Sequence, residues 1–257
     1  MEKPILLEII AASLDDAKAA VEGGADRLEL CSALAQGGLT PTLGTLEAIK
    51  AELDVRVMCM VRPREGGMAY SEGEFAVMLR DAEHLLKSGA DGLVFGFLSA
   101  DGEVDIDRCQ RFLDKVADVA QGRPVETVFH RAFDVVGHPE RALEEIVNLG
   151  ITRILTSGRA PEAIDGTAEI RSYLEQARGR IQILPGGGID LFSVERIVSE
   201  TGVDQVHLYL TDELEDRSVT RNPRIYFGAH VPSSEIEIRR VSPERVRRLR
   251  SILDRIK

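Results

Sequence analysis

The stretch Gly24-Ala25-Asp26-Arg27-Leu28-Glu29-Leu30 decides the fold of this chain, because its pattern returns three more times. A glycine, a small or branched apolar residue, Asp or Thr, and then an apolar run recur at 89–95, 150–155 and 202–208. Glycine suits the left-handed position that ends a helix, and the apolar run suits a buried strand. Each copy therefore predicts a tight turn from a helix into a strand.

The spacing of these copies predicts eight strands rather than four. The copies lie about 60 residues apart, whereas one strand with its helix needs only about 30 residues. Each interval must therefore hold a second strand. The additional strands are expected at Ile5–Ile10, Val55–Val61, Val125–Arg131 and Ile181–Leu184.

The helical patterns between these strands start at residues that commonly begin helices, namely Ser13, Thr40-Pro41, Ser71, Asp105, Pro139, Ser193 and Ser242-Pro243. Eight strands that alternate with eight helices over about 250 residues predict an α/β protein with the (β/α)8 or TIM barrel fold. An open, doubly wound sheet is the alternative, but it explains the fourfold period less well.

The composition predicts one domain that spans residues 1–257, because no linker or low-complexity tract interrupts the chain. A net charge of −11 argues against general nucleic-acid binding. No apolar run approaches the roughly 20 residues that cross a membrane. The amino terminus lacks a signal-peptide pattern, and three well-separated cysteines predict no disulfide framework. We expect a cytoplasmic protein without nucleic-acid or membrane partners.

The polar residues of the strands predict a pocket inside the barrel. Side chains alternate between the two faces of a strand, and a charged group is costly against the apolar layer of helices. Five polar residues on five strands should therefore point inward: Glu8, Glu29, Arg62, His130 and His207. On the second strand, Arg27 and Cys31 share the inward face of Glu29. For the fifth strand, Arg131 in place of His130 is the alternative. Chemistry in such barrels lies at the carboxyl ends of the strands, so we interpret these five residues as catalytic candidates.

This set of side chains is sufficient for acid–base chemistry. Glu8 or Glu29 could serve as a base, His130 or His207 could move protons, and Arg62 could bind a carboxylate or phosphate. The Glu and His residues could instead hold a divalent metal ion such as Mg, Mn or Zn. A polar core without a ligand is the structural alternative.

A glycine run predicts an anion site. Gly186, Gly187 and Gly188 follow the seventh strand, where backbone N–H groups of barrels often hold a phosphate, and Ser157 after the sixth strand could add a hydroxyl. These glycines could equally serve tight turns only. No strand is followed by a P-loop or a Gly-x-Gly-x-x-Gly motif, so no nucleotide cofactor is predicted. No lysine lies where a Schiff-base aldolase needs one.

The chain resembles the CutC family of proposed copper homeostasis proteins over almost its whole length. The matching phrases are Glu8 in the first strand, Gly23–Cys31, Gly37–Pro41, Arg62–Arg64, Phe129–Asp134, Ile154–Gly158 and Pro185–Gly188. The resemblance implies a (β/α)8 barrel, a homodimer and a role in copper handling, with Cu(I) as the suggested ligand. It also implies that Cys31, at the end of the Glu-Leu-Cys phrase, is a metal-binding residue.

The residues alone favour copper only weakly. Met58-Cys59-Met60 offers three soft ligands of the kind that suits Cu(I). Alternation places Met58 and Met60 inside the barrel and Cys59 against the helices, so one ion cannot use all three. Buried Cys and Met residues also commonly serve as plain core.

Three functional hypotheses follow. One is a CutC-type copper homeostasis protein that binds Cu(I). The second is a TIM-barrel enzyme of the lyase or isomerase type, acting on a small phosphorylated or carboxylated metabolite. A binding scaffold without catalysis is the third. In addition, a long connection at about 211–241 precedes the last helix, and we expect it to cover part of the mouth of the barrel or to contact a second subunit.

Overall fold

A computed structural model describes residues 4–222, 224–225 and 237–256. It confirms the predicted barrel. The strands are Leu6–Ala11 (β1), Arg27–Leu30 (β2), Arg56–Met60 (β3), Gly92–Phe95 (β4), Glu126–Phe129 (β5), Arg153–Thr156 (β6), Gln182–Pro185 (β7) and Gln205–Leu208 (β8). They form one parallel sheet in which each strand from β1 to β6 pairs with the next and β8 pairs with β1. A parallel bridge between Gly186 and His207 links β7 to β8.

Helices separate these strands. They are Leu14–Glu22 (α1), Leu43–Glu52 (α2), Glu72–Lys87 (α3), Ile106–Ala120 (α4), Pro139–Asn148 (α5), Thr167–Ala177 (α6), Val194–Thr201 (α7) and Pro243–Leu253 (α8). Ser71 caps α3 in a reciprocal capping box with Glu74, as the sequence indicated. The predicted start of α2 at Thr40-Pro41 is wrong. Thr42 caps α2, because the Thr40 hydroxyl is bound to the backbone of Arg62 instead.

The repeated glycines occupy the left-handed conformation that the sequence pattern predicts. The φ angle is +96° at Gly24 and Gly89, +73° at Gly150 and +77° at Gly202. Residues with a Cβ rarely adopt this left-handed region. Each glycine lies between the end of a helix and the start of an even-numbered strand, at the face opposite the expected site. The repeat is therefore structural.

The barrel interior carries its own apolar cluster, which includes Cys31, Met58, Met60, Val94, Val128, Leu155 and Leu184. Cys59 belongs to the larger core between the strands and the helices. The prediction from alternation is thus confirmed: Met58 and Met60 point inward and Cys59 points outward. No three consecutive residues of β3 can bind one ion.

The connection before α8 contains two strands, Thr211–Glu215 (β9) and Glu237–Val241 (β10), which pair in antiparallel register. Arg240 donates a hydrogen bond to the Ser13 hydroxyl before α1, so this arm lies beside α1. No residue that the structure describes between 211 and 241 lines the cavity considered below. Residues 223 and 226–236 lie outside the described residues, and the expectation that this connection covers the mouth stays a prediction there.

Among the described residues, no helix is both long and apolar enough to cross a membrane.

Candidate functional site

A cavity of about 550 Å³ opens at the carboxyl ends of the strands. Seven of the ten site residues expected from the sequence line it, namely Glu29, Cys31, Arg62, His130, Gly187, Gly188 and His207. The other three do not, namely Glu8, Ser157 and Gly186. The walls are mainly apolar, with Ile10, Met60 and Leu155 among them. This combination of an apolar cavity with a few polar groups is typical of a small-molecule site.

Strand register brings three of the polar side chains together. In β1, Glu8 pairs with Arg27 of β2 on one side and with His207 of β8 on the other. The Glu8 carboxylate accepts a hydrogen bond from Arg27 Nε through Oε2, and its Oε1 lies 2.8 Å from His207 Nδ1. On the other edge of the same ring, His207 Nε2 lies 3.6 Å from Glu29 Oε2. An imidazole therefore bridges two buried carboxylates.

The environment of Glu8 keeps it ionised. Burial would raise its pKa, but the Arg27 guanidinium and the hydrogen bond with His207 outweigh burial and hold the pKa at about 2. A charged carboxylate can only accept, so His207 Nδ1 must donate to it. In the neutral ring this leaves the lone pair on Nε2, which faces Glu29. Glu8 thus orients the ring and determines its tautomer, although it lies outside the cavity wall.

Glu29 is the carboxyl group of this cluster whose pKa lies near neutrality. Burial raises its pKa to about 7, and the negative charge of Glu8 adds to this effect. For His207, burial would lower the pKa, but the carboxylates of Glu29 and Glu8 outweigh it and the pKa is raised. The two groups therefore compete for one proton in the neutral range. Glu29 Oε1 has no hydrogen-bond partner among the described residues.

Arg27 belongs to a buried network that the sequence did not identify as part of the site. Its Nη2 donates to Gln205 Oε1 at 3.0 Å, and Glu126 lies 3.9 Å away. Glu126 also pairs with buried Arg153 at 2.7 Å. Alternation placed Arg27 inside the barrel, but its partners lie on strands that only the closed barrel brings close. This network holds Arg27 in the position from which it pairs with Glu8.

His130 presents a neutral imidazole to the cavity. Its Nδ1 accepts a hydrogen bond from the Ala132 amide at 3.1 Å, so the ring proton lies on Nε2. Burial and then the Arg62 charge lower its pKa to about 3. Nε2 has no acceptor within the described part of the chain. A Cβ at position 96 would lie 2.6 Å from Nδ1, so Gly96 leaves the space that this ring occupies.

Arg131 lines the same cavity as His130, although strict alternation predicts that only one of these two adjacent residues points inward. The strand ends at Phe129 and a 3-10 helix begins at Arg131, so the period of two no longer applies. Arg131 Nε pairs with Asp134 at 2.8 Å, and its side chain remains 42% exposed. Arg131 is therefore a cation at the rim of the cavity, and Asp134 partly neutralises its charge.

Arg62 lines the cavity but uses most of its donors on the protein. Nη1 donates to the carbonyl oxygens of Gln36 and Gly38, and Nη2 donates to that of Gly66, at 2.9 to 3.1 Å. Arg62 therefore holds two loops of the mouth in place. No carboxylate pairs with it among residues 4–222, 224–225 and 237–256, and its Nε has no acceptor there.

Ser157 is bound within the protein rather than offered to a ligand. Its amide and hydroxyl both donate to the Asp134 carboxylate, at 3.0 and 2.9 Å, and the Arg159 amide donates to it at 3.2 Å. The Asp134 carboxylate thus binds the Ser157 hydroxyl, which was expected to add to the anion site of the glycine run. The reasoning from strand alternation missed Asp134, because that period does not extend into a short 3-10 helix. The only sequence signal that included it was the family phrase Phe129–Asp134.

The glycine run forms a tight turn at the cavity wall. The Gly186 amide donates to the Thr156 carbonyl at 2.9 Å, which continues the β6–β7 pairing. Gly187 and Gly188 have φ angles of +112° and +67°. A Cβ at position 188 would lie 2.8 Å from Glu162 Cγ and 3.0 Å from its carboxyl carbon. This neighbouring carboxylate opposes a strongly anionic ligand at the run.

The residues fit a copper ion poorly. Only Glu8, Glu29 and His207 among the described residues form a group of three potential ligands whose atoms lie within 4.8 Å of one another. Both Glu8 oxygens are already bound, and carboxylates suit hard cations rather than Cu(I). Cys31 lies outside this group. Burial and the Glu29 charge raise the pKa of its thiol well above the ordinary range, so a metal ion would have to displace a tightly held proton.

The fold defines a (β/α)8-barrel protein. At its cavity the His207 imidazole lies between the buried carboxyl groups of Glu8 and Glu29, and the Cys31 thiol lines the same cavity. The CutC family model matches residues 5–211, and this chain belongs to the CutC family. A CutC family protein of Treponema denticola is 47% identical over 92% of this chain and 94% of its own length. The human copper homeostasis protein cutC homolog is 39% identical over 98% and 90%.

A crystal structure of the CutC protein of Streptococcus agalactiae agrees with this fold. The two structures superpose with a TM-score of 0.72 at 33% identity, over 79% of this chain and 97% of the other. The predicted family and architecture are therefore confirmed.

Proposed function

We propose that this CutC-family barrel is an acid–base enzyme of the isomerase or lyase type, which moves a proton next to the carbonyl group of a small anionic metabolite. The observation that carries the proposal is the Glu8–His207–Glu29 arrangement at the cavity. Perturbed carboxyl and imidazole groups in a cleft are the usual sign of acid–base work. Copper binding needs a set of soft ligands, and the cavity provides a less complete set of these than of acid–base groups.

Each residue has a distinct task in this reaction. The Glu29 carboxylate takes a proton from the carbon beside the carbonyl, and the electron pair of that C–H bond moves onto the carbonyl oxygen. The Nε2–H of neutral His130 donates to the developing enolate oxygen. His207, oriented by Glu8, exchanges the abstracted proton with Glu29. In an isomerisation, the proton returns to the former carbonyl carbon, while the hydroxyl proton of the adjacent carbon passes to the enolate oxygen and a carbonyl forms at that adjacent carbon. In an elimination, the carbonyl re-forms, a double bond forms between the α and β carbons, and the group on the β carbon leaves with its bonding electrons and takes up the abstracted proton.

Proton exchange with solvent provides the test. Small 2-oxo acids, hydroxyketones and sugar phosphates are incubated with the protein in D₂O, and deuterium incorporation beside the carbonyl is followed by ¹H NMR. We expect Glu29→Gln to slow the catalysed exchange by about 10²- to 10⁴-fold, the usual contribution of a general base. The wild-type rate should rise with pH through about 7, because the base acts in its ionised form.

Glu175→Gln is the matched control, since Glu175 is two-thirds exposed on α6 and its one ion pair among the described residues is with Arg171. It should exchange like the wild type. The proposal fails if no compound exchanges faster than in buffer, or if Glu29→Gln exchanges as fast as the control.

Copper binding is the second candidate function, and one observation favours it. Two sulfur-containing residues, Cys31 and Met60, line the same cavity. A Cβ at position 38 would lie 3.5 Å from Cys31 Sγ and 3.9 Å from the Met60 methyl carbon. Thiolate with thioether is a set of ligands that suits Cu(I). The names of the relatives support this candidate as well.

A chelator competition tests this second function. We expect Cys31→Ser to abolish stoichiometric Cu(I) binding, while Cys59→Ser retains it because Cys59 packs against the helices. Binding should weaken as the pH falls, since the ion must displace the Cys31 proton. Equal affinity of the wild type and Cys31→Ser would remove Cys31 from any copper site.

The proposal also includes a prediction of the cellular location and a prediction of the oligomeric state. The composition of the chain supports a cytoplasmic location, and the family resemblance supports a homodimer.

A further inference from the structure

One apolar wall of the cavity is left partly uncovered by the chain. It consists of the members of the apolar cluster inside the barrel that line the cavity, namely Ile10, Cys31, Leu34, Met60 and Leu155. Ile10 and Leu34 are only partly buried, whereas Ile9, the outward-facing neighbour of Ile10, is fully buried in the core between strands and helices. Covering apolar surface is favourable in water, so this wall favours an apolar part of a ligand.

The apolar wall lies next to the acid–base residues. Ile10 is the register partner of Glu29, so the wall begins beside the proposed base. On the other side, a Cβ at Gly186 would lie 2.6 Å from Leu155 Cδ1 and 2.8 Å from His207 Cδ2, which places Leu155 beside the imidazole. A ligand held at Glu29 and His207 would therefore have its neighbouring atoms against the apolar wall.

Two polar atoms indicate where the polar end of such a ligand lies. Glu29 Oε1 and His130 Nε2 belong to residues that line the cavity and are each 4% exposed. Neither atom has a hydrogen-bond partner within the described part of the chain. Buried polar atoms without partners are rare, and a carbonyl oxygen is an acceptor of the kind that the Nε2–H of His130 lacks.

The cavity has the size and the side chains for an extended aliphatic chain. Its volume of about 550 Å³ lies within the range of sites that enclose drug-sized ligands, so it exceeds the needs of a three-carbon compound. Met60 belongs to the apolar wall, and Met68 lines the same cavity from the loop after β3. Methionine side chains are unbranched and flexible, and they adapt to ligands of different shape.

We propose that the apolar wall binds the aliphatic chain of a carbonyl metabolite whose carbonyl oxygen lies at His130 Nε2. This inference rests on the proposed function for its reactive carbonyl and adds the class of substrate. That class is an acyclic carbonyl compound with several methylene groups, rather than a three-carbon compound. Each methylene group that leaves water for the wall strengthens binding, so affinity depends on the length of the chain.

A homologous series of probes tests the apolar wall without requiring turnover. Pyruvate, 2-oxobutanoate, 2-oxopentanoate and 2-oxohexanoate share a carbonyl and a carboxylate, and each step of the series adds one methylene group. We expect ¹H NMR titrations to show that Kd falls by about threefold to fourfold per step, the effect of burying one methylene group. The gain over the whole series should therefore be about 30-fold or more.

Leu34→Gln is the variant that interrupts the wall with least risk to folding, because Leu34 is partly buried in a short 3-10 helix at the mouth. It should reduce the gain over the series several-fold, while the affinity for pyruvate changes little. Leu43→Gln is the matched control, since Leu43 is 38% exposed on α2 and does not line the cavity. Met60→Gln, with its thermal midpoint measured, tests the buried part of the wall and should also reduce the gain.

The outcomes separate this inference from the proposed chemistry. A gain with chain length that Leu34→Gln reduces supports the inference even if no deuterium exchange is found, in which case only the chemistry fails. The inference is overturned if affinity stays level over the series or if no member binds, even where pyruvate exchanges deuterium. It is also overturned if Leu34→Gln keeps the full gain, or if Leu43→Gln loses as much of it. If Met60→Gln does not fold, Leu34→Gln decides alone.

Discussion

Arg27→Met is expected to lower the free energy of unfolding by about 3–5 kcal/mol, the cost of breaking a buried ion pair by removing one partner. Arg27 is 2% exposed and is the main positive group that offsets the burial of Glu8. Without it, the Glu8 carboxylate remains in the barrel with a hydrogen bond from His207 alone. Chemical denaturation at pH 7, followed by circular dichroism, measures the difference.

The pH dependence identifies Glu8 as the cause. In the wild type, the lowered pKa of Glu8 contributes stability that is present above about 4.5 and is lost as the pH falls toward 2. In Arg27→Met the pKa of Glu8 should rise, so protonation relieves the buried charge at a higher pH. The destabilisation should therefore shrink when both proteins are compared at pH 4.

Arg56→Met is the matched control, since Arg56 is the register partner of Arg27 on β3. Its side chain is 68% exposed and pairs with Glu126 at the surface, so we expect a change of about 1 kcal/mol or less. An equal loss for both variants, or a loss at position 27 that does not vary with pH, would show that the apolar part of Arg27 accounts for its effect.

Asp134→Ala is expected to cost about 3 kcal/mol or more, because several buried donors lose their acceptor together. The Asp134 side chain is 7% exposed. It accepts from Thr156 Oγ1 at 2.5 Å, from Ser157 and from the Arg159 amide. Differential scanning calorimetry should show the loss. Asp165→Ala, at an exposed position nearby, should change little.

An external anion should partly replace the missing carboxylate. We expect sulfate at tens of millimolar to raise the melting temperature of Asp134→Ala more than that of the wild type, since the freed donors of Ser157, Arg159 and Arg131 then form an anion site. The same increase in both proteins would mean that sulfate acts only as a general stabiliser, and that the loop closes without an anion.

Local pattern was sufficient to predict the barrel and the direction of its side chains. The alternation of β2 placed Arg27, Glu29 and Cys31 inside, and that of β3 placed Cys59 outside, because the side-chain period of a strand is a property of the backbone alone. The repeated glycines located the turns for the same reason, since the left-handed conformation is a local requirement. These predictions needed no knowledge of neighbours.

Most of the wrong or incomplete expectations concern the partners of side chains, and one concerns a direction. Ser157 lay where a ligand hydroxyl could be expected, yet Asp134 binds it. Arg62 was a candidate to bind a carboxylate or phosphate, yet two of its nitrogens donate to three loop carbonyls. His130 and Arg131 were treated as exclusive, yet the strand ends between them and both reach the cavity.

What the sequence by itself determined is therefore the eight-stranded frame and the set of polar groups inside it. Only the tertiary structure decided which of these groups meet, because their contacts join distant parts of the chain. His207 and Glu8 are 199 positions apart, and Arg27 and Gln205 are 178 apart. Closure of the barrel brings β8 against β1, and that one long-range pairing turns separate acids and an imidazole into a coupled group with shifted pKa values.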